Sequence, residues 1–327
     1  MNEFELIKKI KKLAGNPLLP VVIGIGDDCA ALRSAGNGLF LMTADSLVED
    51  VHFRRRFTTP GDIGWKSLAV NLSDIAAMGG CPGPFLLSMI IPRKEDPAFV
   101  MRVVKGVLLC AGRHGARLAG GNVSAAPSDS LIIDITATGT VRRGLEVRRS
   151  GATPGDLVCL AGYTGLSAAG LRFLERGVCS KTPGYATCIS AHNRPIPRIS
   201  LGLAISEARI ATSMIDVSDG LIADLGHICK ESGVGATLDA SLVPIHKALD
   251  KTAKALKVDP LVPALSGGED YALAFTVRSE DMVGLERLHK IHKSKITVIG
   301  RIKRGSGVKV LNAPNTLDRA GFDHFSF

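Results

Sequence analysis

Six aspartates of this chain stand beside or inside apolar segments, and none has a lysine or arginine as an immediate neighbour. Asp27 and Asp28 follow the apolar, glycine-bearing run 21–26, and Asp45 ends the strand-like stretch 39–44. Asp74 lies within the apolar helical run 68–78, while Asp216 and Asp219 bracket Val217-Ser218 after another apolar stretch. A carboxylate taken out of water needs a compensating charge. A fold that buries these segments must therefore bring the carboxylates to a shared partner. Oxygen ligands beside Gly and Ser point to hard divalent cations, and cations held this way usually serve a polyphosphate.

The segments between these acids alternate between strand-like and helix-like. Strands are expected at 21–25, 39–43, 85–91 and 131–141, and helices at 62–78 and 97–114. In the first helix Trp65, Leu68, Ala69, Leu72, Ile75 and Ala76 recur at helical spacing, the mark of a buried stripe. Asp74 interrupts that pattern. The second half reads as strands at 156–161, 212–217, 236–242, 271–277 and 296–301, with helices at 167–176, 198–209, 220–232 and 281–292. The polar, basic, Gly/Pro-bearing stretch 142–155 separates the halves. With 327 residues, two domains are expected, 1–145 and 146–327. The class is α/β of the α+β type, two layered α/β domains.

A net charge of +9 invites a nucleic-acid reading, but Lys and Arg are spread along the chain with few aromatics among them. The charge suits anionic nucleotides equally well. Seven cysteines form no C-x-x-C pair and no zinc-spaced cluster, so they read as reduced thiols of a cytoplasmic protein. Residues 1–13 alternate Lys with apolar residues like an amphipathic helix rather than a signal peptide. No run approaches the roughly 18 apolar residues of a membrane span.

Several short segments carry chemistry. Gly24 to Ala30 sets adjacent carboxylates on a glycine turn, which is costly without a cation. Thr43-Ala44-Asp45-Ser46 is followed by His52. Gly120-Gly121-Asn122 offers backbone N–H groups to phosphate or marks an ordinary turn. Arg149 holds phosphate with its fork or sits on the surface. Asp219 is a metal ligand or merely a helix cap, although a cap leaves Asp216 unexplained. Ser266-Gly267-Gly268-Glu269-Asp270-Tyr271 sets two more acids on a glycine turn. The G-x-x-x-x-G-K-[ST] and G-x-G-x-x-G cradles are absent, as is a G-x-S-x-G elbow. Ligation must come from scattered carboxylates that meet in the fold.

This set of segments resembles the thiamine-monophosphate kinases of the aminoimidazole-ribonucleotide-synthetase-like superfamily. The blocks that carry the likeness are 24–30, 71–79, 149–156, 216–226 and 265–271. The resemblance implies ATP-dependent phosphorylation of thiamine monophosphate to thiamine diphosphate. It also implies a PurM-like homodimer whose N-terminal domains pair their sheets into a barrel, with no role for nucleic acid or membrane. Carried over by position, Asp28, Thr43, Asp45, Asp74 and Asp216 would hold magnesium, with Asn122 and Asp219 at further ions. Asp28, Asp45, Asp74 and Asp216 would form the catalytic set. Gly120, Gly121, Arg149 and Ser218 would contact ATP, and His52, Glu269 and Phe322 the thiamine moiety. The chain departs from the family pattern at Asn122, where Asp is usual, at Ala44, where Thr is usual, and at Phe322, where Tyr is common. Asn122 and Ala44 keep open a non-catalytic nucleotide- or thiamine-phosphate-binding protein. Within the superfamily the other alternative is an aminoimidazole ribonucleotide synthetase-like ATP enzyme, against which the 266–270 block and the Gly-Phe-Asp-His-Phe at 321–325 favour the kinase.

Overall fold

The computed structural model describes residues 3–34, 36–178, 184–292 and 295–317. Its first half comprises α1 (Glu3–Ala14), β1 (Val21–Ile23), β2 (Ala30–Arg33), β3 (Gly38–Val48), α2 (Pro60–Ala77), β4 (Cys81–Pro92), α3 (Pro97–His114), β5 (Arg117–Ala126) and β6 (Ile132–Arg142). These strands form one six-stranded sheet in the order β1-β2-β3-β6-β4-β5. The β3–β6 pairing is antiparallel without a break from Gly38↔Arg142 to Val48↔Ile132, and only β4–β5 is parallel.

The long helices start where their sequences dictate. Thr59 caps α2 by accepting the Asp62 N–H at 3.2 Å, and Pro60 fills the first turn, where its missing N–H costs nothing. Asp96 does the same for α3 through Ala98 N–H at 2.9 Å, and Gly115 ends it at φ 77°. Helix α2 packs against α3, β3 and β6 on one side and against α6 and β8 of the second half on the other. It is consequently buried almost all round, more than a single apolar stripe requires. The crossings are close: a Cβ on Gly106 would lie 2.1 Å from the Gly61 carbonyl, and one on Gly202 2.1 Å from that of Ala76.

The second half contains β7 (Leu157–Ala161), α4 (Leu166–Glu175), α5 (Tyr185–Asn193), α6 (Ile199–Ala208), β8 (Ala211–Asp216), α7 (Leu221–Ser232), β9 (Gly235–Asp239), α8 (Lys247–Leu256), α9 (Leu261–Ser266), β10 (Leu273–Val277), α10 (Met282–His292), β11 (Ile296–Lys303) and β12 (Gly307–Leu311). Its sheet runs β12-β9-β11-β7-β10-β8. Strands β7 and β10 are buried at every residue because both faces are covered. Val158, Leu160 and Ala274 join the core under α7 to α9, and Cys159, Leu273 and Phe275 the one under α6 and α10.

Two sequence expectations need correction. Asp45 does not end its strand: β3 continues to Val48, paired throughout with β6. Gly120-Gly121-Asn122 is no turn but the middle of edge strand β5, exposed from Arg117 to Ala125. Glycine is needed there because a Cβ on Gly121 would lie 1.8 Å from the Leu87 carbonyl of β4. Helices α5, α8 and α9 and strands β2 and β12 have no counterpart among the expected elements.

Candidate active site

The acids converge between the two sheets. Asp28 precedes β2, Thr43 and Asp45 sit on β3, Asp74 on the last turn of α2, and Asp216 ends β8. Together with Asp219 they line a cavity of about 1280 Å³. Carboxylate oxygens of Asp28, Asp74 and Asp216 lie within 4.8 Å of one another. Thr43 Oγ1 donates to Asp74 Oδ2 at 2.5 Å, and the Asp45 N–H donates to Asn71 Oδ1 at 3.1 Å. Asn71 in turn donates to the Ser67 carbonyl, which fixes it along α2.

Crowding shows in the proton affinities. Burial first, then the neighbouring Asp45, Asp216 and Asp28, holds the Asp74 carboxyl well above the usual range. Burial and Asp28 push Asp216 up to about 7. Burial and Asp28 likewise raise Asp27 to about 6. Asp28 is raised by burial despite Arg149, whose Nε and Nη2 both reach its Oδ1, at 3.0 and 2.6 Å. The other oxygen of Asp28 is buried and without a hydrogen-bond partner. An orphaned buried carboxylate oxygen beside two more acids fits a hard divalent cation such as magnesium. Cys29 adds no soft ligand, since burial and the nearby acids push its thiol far up.

Beside this set lies a second group, Asp219, Asp224 and His227, whose ligand atoms are within 4.8 Å of one another. Asp224 Oδ2 accepts the N–H groups of Asp219 and Gly220, both at 3.1 Å, and so shapes the turn that presents Asp219. Burial, Arg149 and Lys230 lower His227 to about 4, which keeps its imidazole neutral and able to ligate. Asp224 and His227 escaped sequence reasoning although both follow Asp219 along α7, where Asp224 is buried with the apolar residues. Acids and histidines at helical spacing carry no mark of burial.

The same cavity is also lined by His52, Glu269, Lys66 and His192, with Phe53 and Leu171 as apolar walls. His52 Nδ1 accepts the Val48 N–H at 3.0 Å. Lys66 and His192 were also missed: Lys66 reads as a polar interruption of α2, and His192 lies on an unexpected helix. Ser218 lines the cavity, and its carbonyl accepts the Glu269 N–H at 2.7 Å.

Not every expected residue reaches the cavity. Gly120, Gly121 and Asn122 do not line it; β6 and β4 separate their strand from β3. At about 4.8 Å per strand they lie some 14 Å from Asp45. Phe322 falls outside the described residues.

Comparison with known proteins fits this geometry. The model of the AIR synthase related protein N-terminal domain matches residues 26–141, and that of the C-terminal domain matches 153–311. Thiamine-monophosphate kinase of Bacillus subtilis (strain 168) is 36% identical over 99% of this chain and 100% of its own. The Escherichia coli (strain K12) thiamine-monophosphate kinase is 37% identical over 99% and 98%. A solved structure described as AaThiL complexed with AMPPCP and TMP superposes with a TM-score of 0.87 at 33% identity, covering 99% of this chain and 97% of that one.

Proposed function

The chain belongs to the thiamine-monophosphate kinase family of AIR synthase related proteins, and on that premise we infer how its residues carry out the reaction. ATP phosphorylates thiamine monophosphate to thiamine diphosphate. An oxygen of the substrate phosphate attacks the γ-phosphorus of ATP, the bond to the β–γ bridging oxygen breaks, and ADP leaves. No general base is required, because a phosphomonoester's second pKa is about 6 and the attacking oxygen is already ionised near neutrality.

The difficulty is to bring two polyanions together. Magnesium, when bound, neutralises charge on the transferring group and aligns the reactants. Asp28, Asp74 and Asp216 would hold it, with Thr43 and Asp45 beside them and Asp219 at a further ion. Arg149 and Ser218 orient the nucleotide, and His52 and Glu269 orient the thiamine end. The reading rests on one observation above all: three carboxylates from both halves of the chain, Asp28 and Asp216 buried and Asp74 half-buried, crowd within 4.8 Å at the wall of a cavity large enough for both substrates.

Incubation of the protein with ATP, Mg²⁺ and thiamine monophosphate, read out by chromatography, tests it. Formation of thiamine diphosphate is expected. Stoichiometric ligand binding without product would instead mark a binding protein.

We also infer a homodimer. The face of the first sheet opposite α2 exposes Met42 and Leu86, and β5 exposes Leu118 and Val123. A second copy seated there would cover these side chains and carry a further Gly120-Gly121-Asn122 segment to the assembly. Among the described residues six cysteines are free and five of them buried, which fits the reducing cytoplasm. Among the described residues no helix is long and apolar enough to cross a membrane.

A further inference from the structure

A lysine buried to 1% exposure stands at the thiamine end of the cavity. Lys66 projects from the middle of α2, where a charged side chain is the costliest kind to bury. Its Nζ contacts two groups: the carbonyl of His52 at 3.0 Å and Oε1 of Glu269 at 2.5 Å. The other carboxylate oxygen of Glu269 is met by Nδ1 of His192 at 3.2 Å, and the same Nδ1 lies 3.1 Å from Ser167 Oγ, so one N–H is shared between the carboxylate and the hydroxyl oxygen. Glu269 adopts φ 63°, a left-handed backbone that a non-glycine residue keeps only when its surroundings hold it. Lys66 comes from the first half of the chain, whereas His192 and Glu269 come from the second.

We propose that Lys66 and His192 are positioning residues that hold the Glu269 carboxylate, ionised and fixed in direction, as a hydrogen-bond acceptor for the substrate's aminopyrimidine. The inference rests on the proposed assignment of Glu269 to the thiamine end. Lys66 cancels the charge of Glu269, so the pair as a whole has little to offer the thiazolium cation. Each carboxylate oxygen retains a lone pair, and these suit an N–H donor. The same ammonium fixes the His52 carbonyl, so a single side chain sets two groups on the wall.

Glu269 is paired with Lys66 from α2 and His192 from α5, with Asp270 and Tyr271 beside it; Arg54, from the segment after β3, acts on His192, and His52 and Asp45 line the same cavity. Lys66 foremost, with His192, outweighs burial and keeps Glu269 well below the usual carboxylate range.

The test compares Lys66→Met and His192→Asn with the unaltered protein. KM for thiamine monophosphate and for ATP is measured between pH 6 and 8, and thiamine monophosphate binding is followed by calorimetry in the presence of AMPPCP. Lys66→Met is expected to weaken thiamine monophosphate about tenfold or more, the loss of one charge-assisted contact, with KM for ATP unchanged. The loss relative to the unaltered protein should deepen toward pH 6, because the Glu269 carboxylate without its cation takes up a proton. His192→Asn should show the same selectivity at about threefold. It decides the question if Lys66→Met does not fold. Equal loss for both substrates, or unchanged thiamine monophosphate affinity in His192→Asn, overturns the proposal. An unaltered protein that makes no thiamine diphosphate would instead overturn the kinase reading.

Discussion

Asp74 carries the conflict at the centre of this site. Helix α2 drives it into the interior as one turn of an apolar element, and three other carboxylates surround it. Replacing it with Asn keeps the shape and removes the charge. Turnover of Asp74→Asn is expected to fall about 100-fold or more, since cation-borne charge stabilisation is worth several kcal/mol. Differential scanning calorimetry of the metal-free variant should show a higher melting temperature, because repulsion is relieved. Stability and activity are opposed at this residue.

Burial, together with the same repulsion, gives the fold its pH response. Asp27 is raised to about 6, and Asp216 and Asp270 to about 7, against about 4 in an unfolded chain. Between these values the folded protein holds more protons than the unfolded one, so the unfolding free energy falls as pH rises. Their contribution is complete below about pH 4 and lost by about pH 7. The melting temperature with chelator present should therefore decline from pH 5 to pH 7.5. Added Mg²⁺ should raise it more at pH 7.5 than at pH 5. A magnesium effect independent of pH would contradict the crowded-carboxylate picture.

At the scale of elements, glycine governs how closely the helices approach. Gly106 of α3 meets Gly61 at the start of α2 so closely that any Cβ would collide with backbone. Gly106→Ala is expected to destabilise by about 1–3 kcal/mol, read as a lower urea midpoint, although alanine is the better helix former. Long periodic segments such as α3 and strands β4 and β6 were legible in the sequence, because their apolar spacing is dictated by the core they bury. Strand β5 was not: an exposed edge strand has no buried face, and its two glycines imitate a turn. Helices α5, α8 and α9 are short, and apolar runs of that length do not separate helix from strand. The acids of the site were legible because each offends a local rule. Lys66 was not, since lysine is ordinary on a helix until the other side of that helix turns out to be covered as well.

For the whole molecule, α2 links the two halves. Its first turns pack against α3, its last turn carries Asp74 toward Asp216 at the end of β8, and Lys66 and Trp65 reach across to Glu269 and the Pro195 carbonyl. Dimerisation would add a second level, because β5 cannot reach the cavity of its own chain. Mixing Asp74→Asn subunits with subunits altered at Gly121 tests this. Recovered turnover in the mixture is expected if β5 serves its partner. Turnover no higher than in either variant alone would speak against sharing.

A small swivel between the two sheets would separate Asp216 from Asp28 and Asp74 while leaving every strand and helix in place. Because these acids are supplied by a loop, a helix and a strand end of two differently built halves, a chain that looks fully folded by circular dichroism can still be catalytically silent. Turnover here reports the alignment of the halves, and loss of alignment is a quieter failure than unfolding.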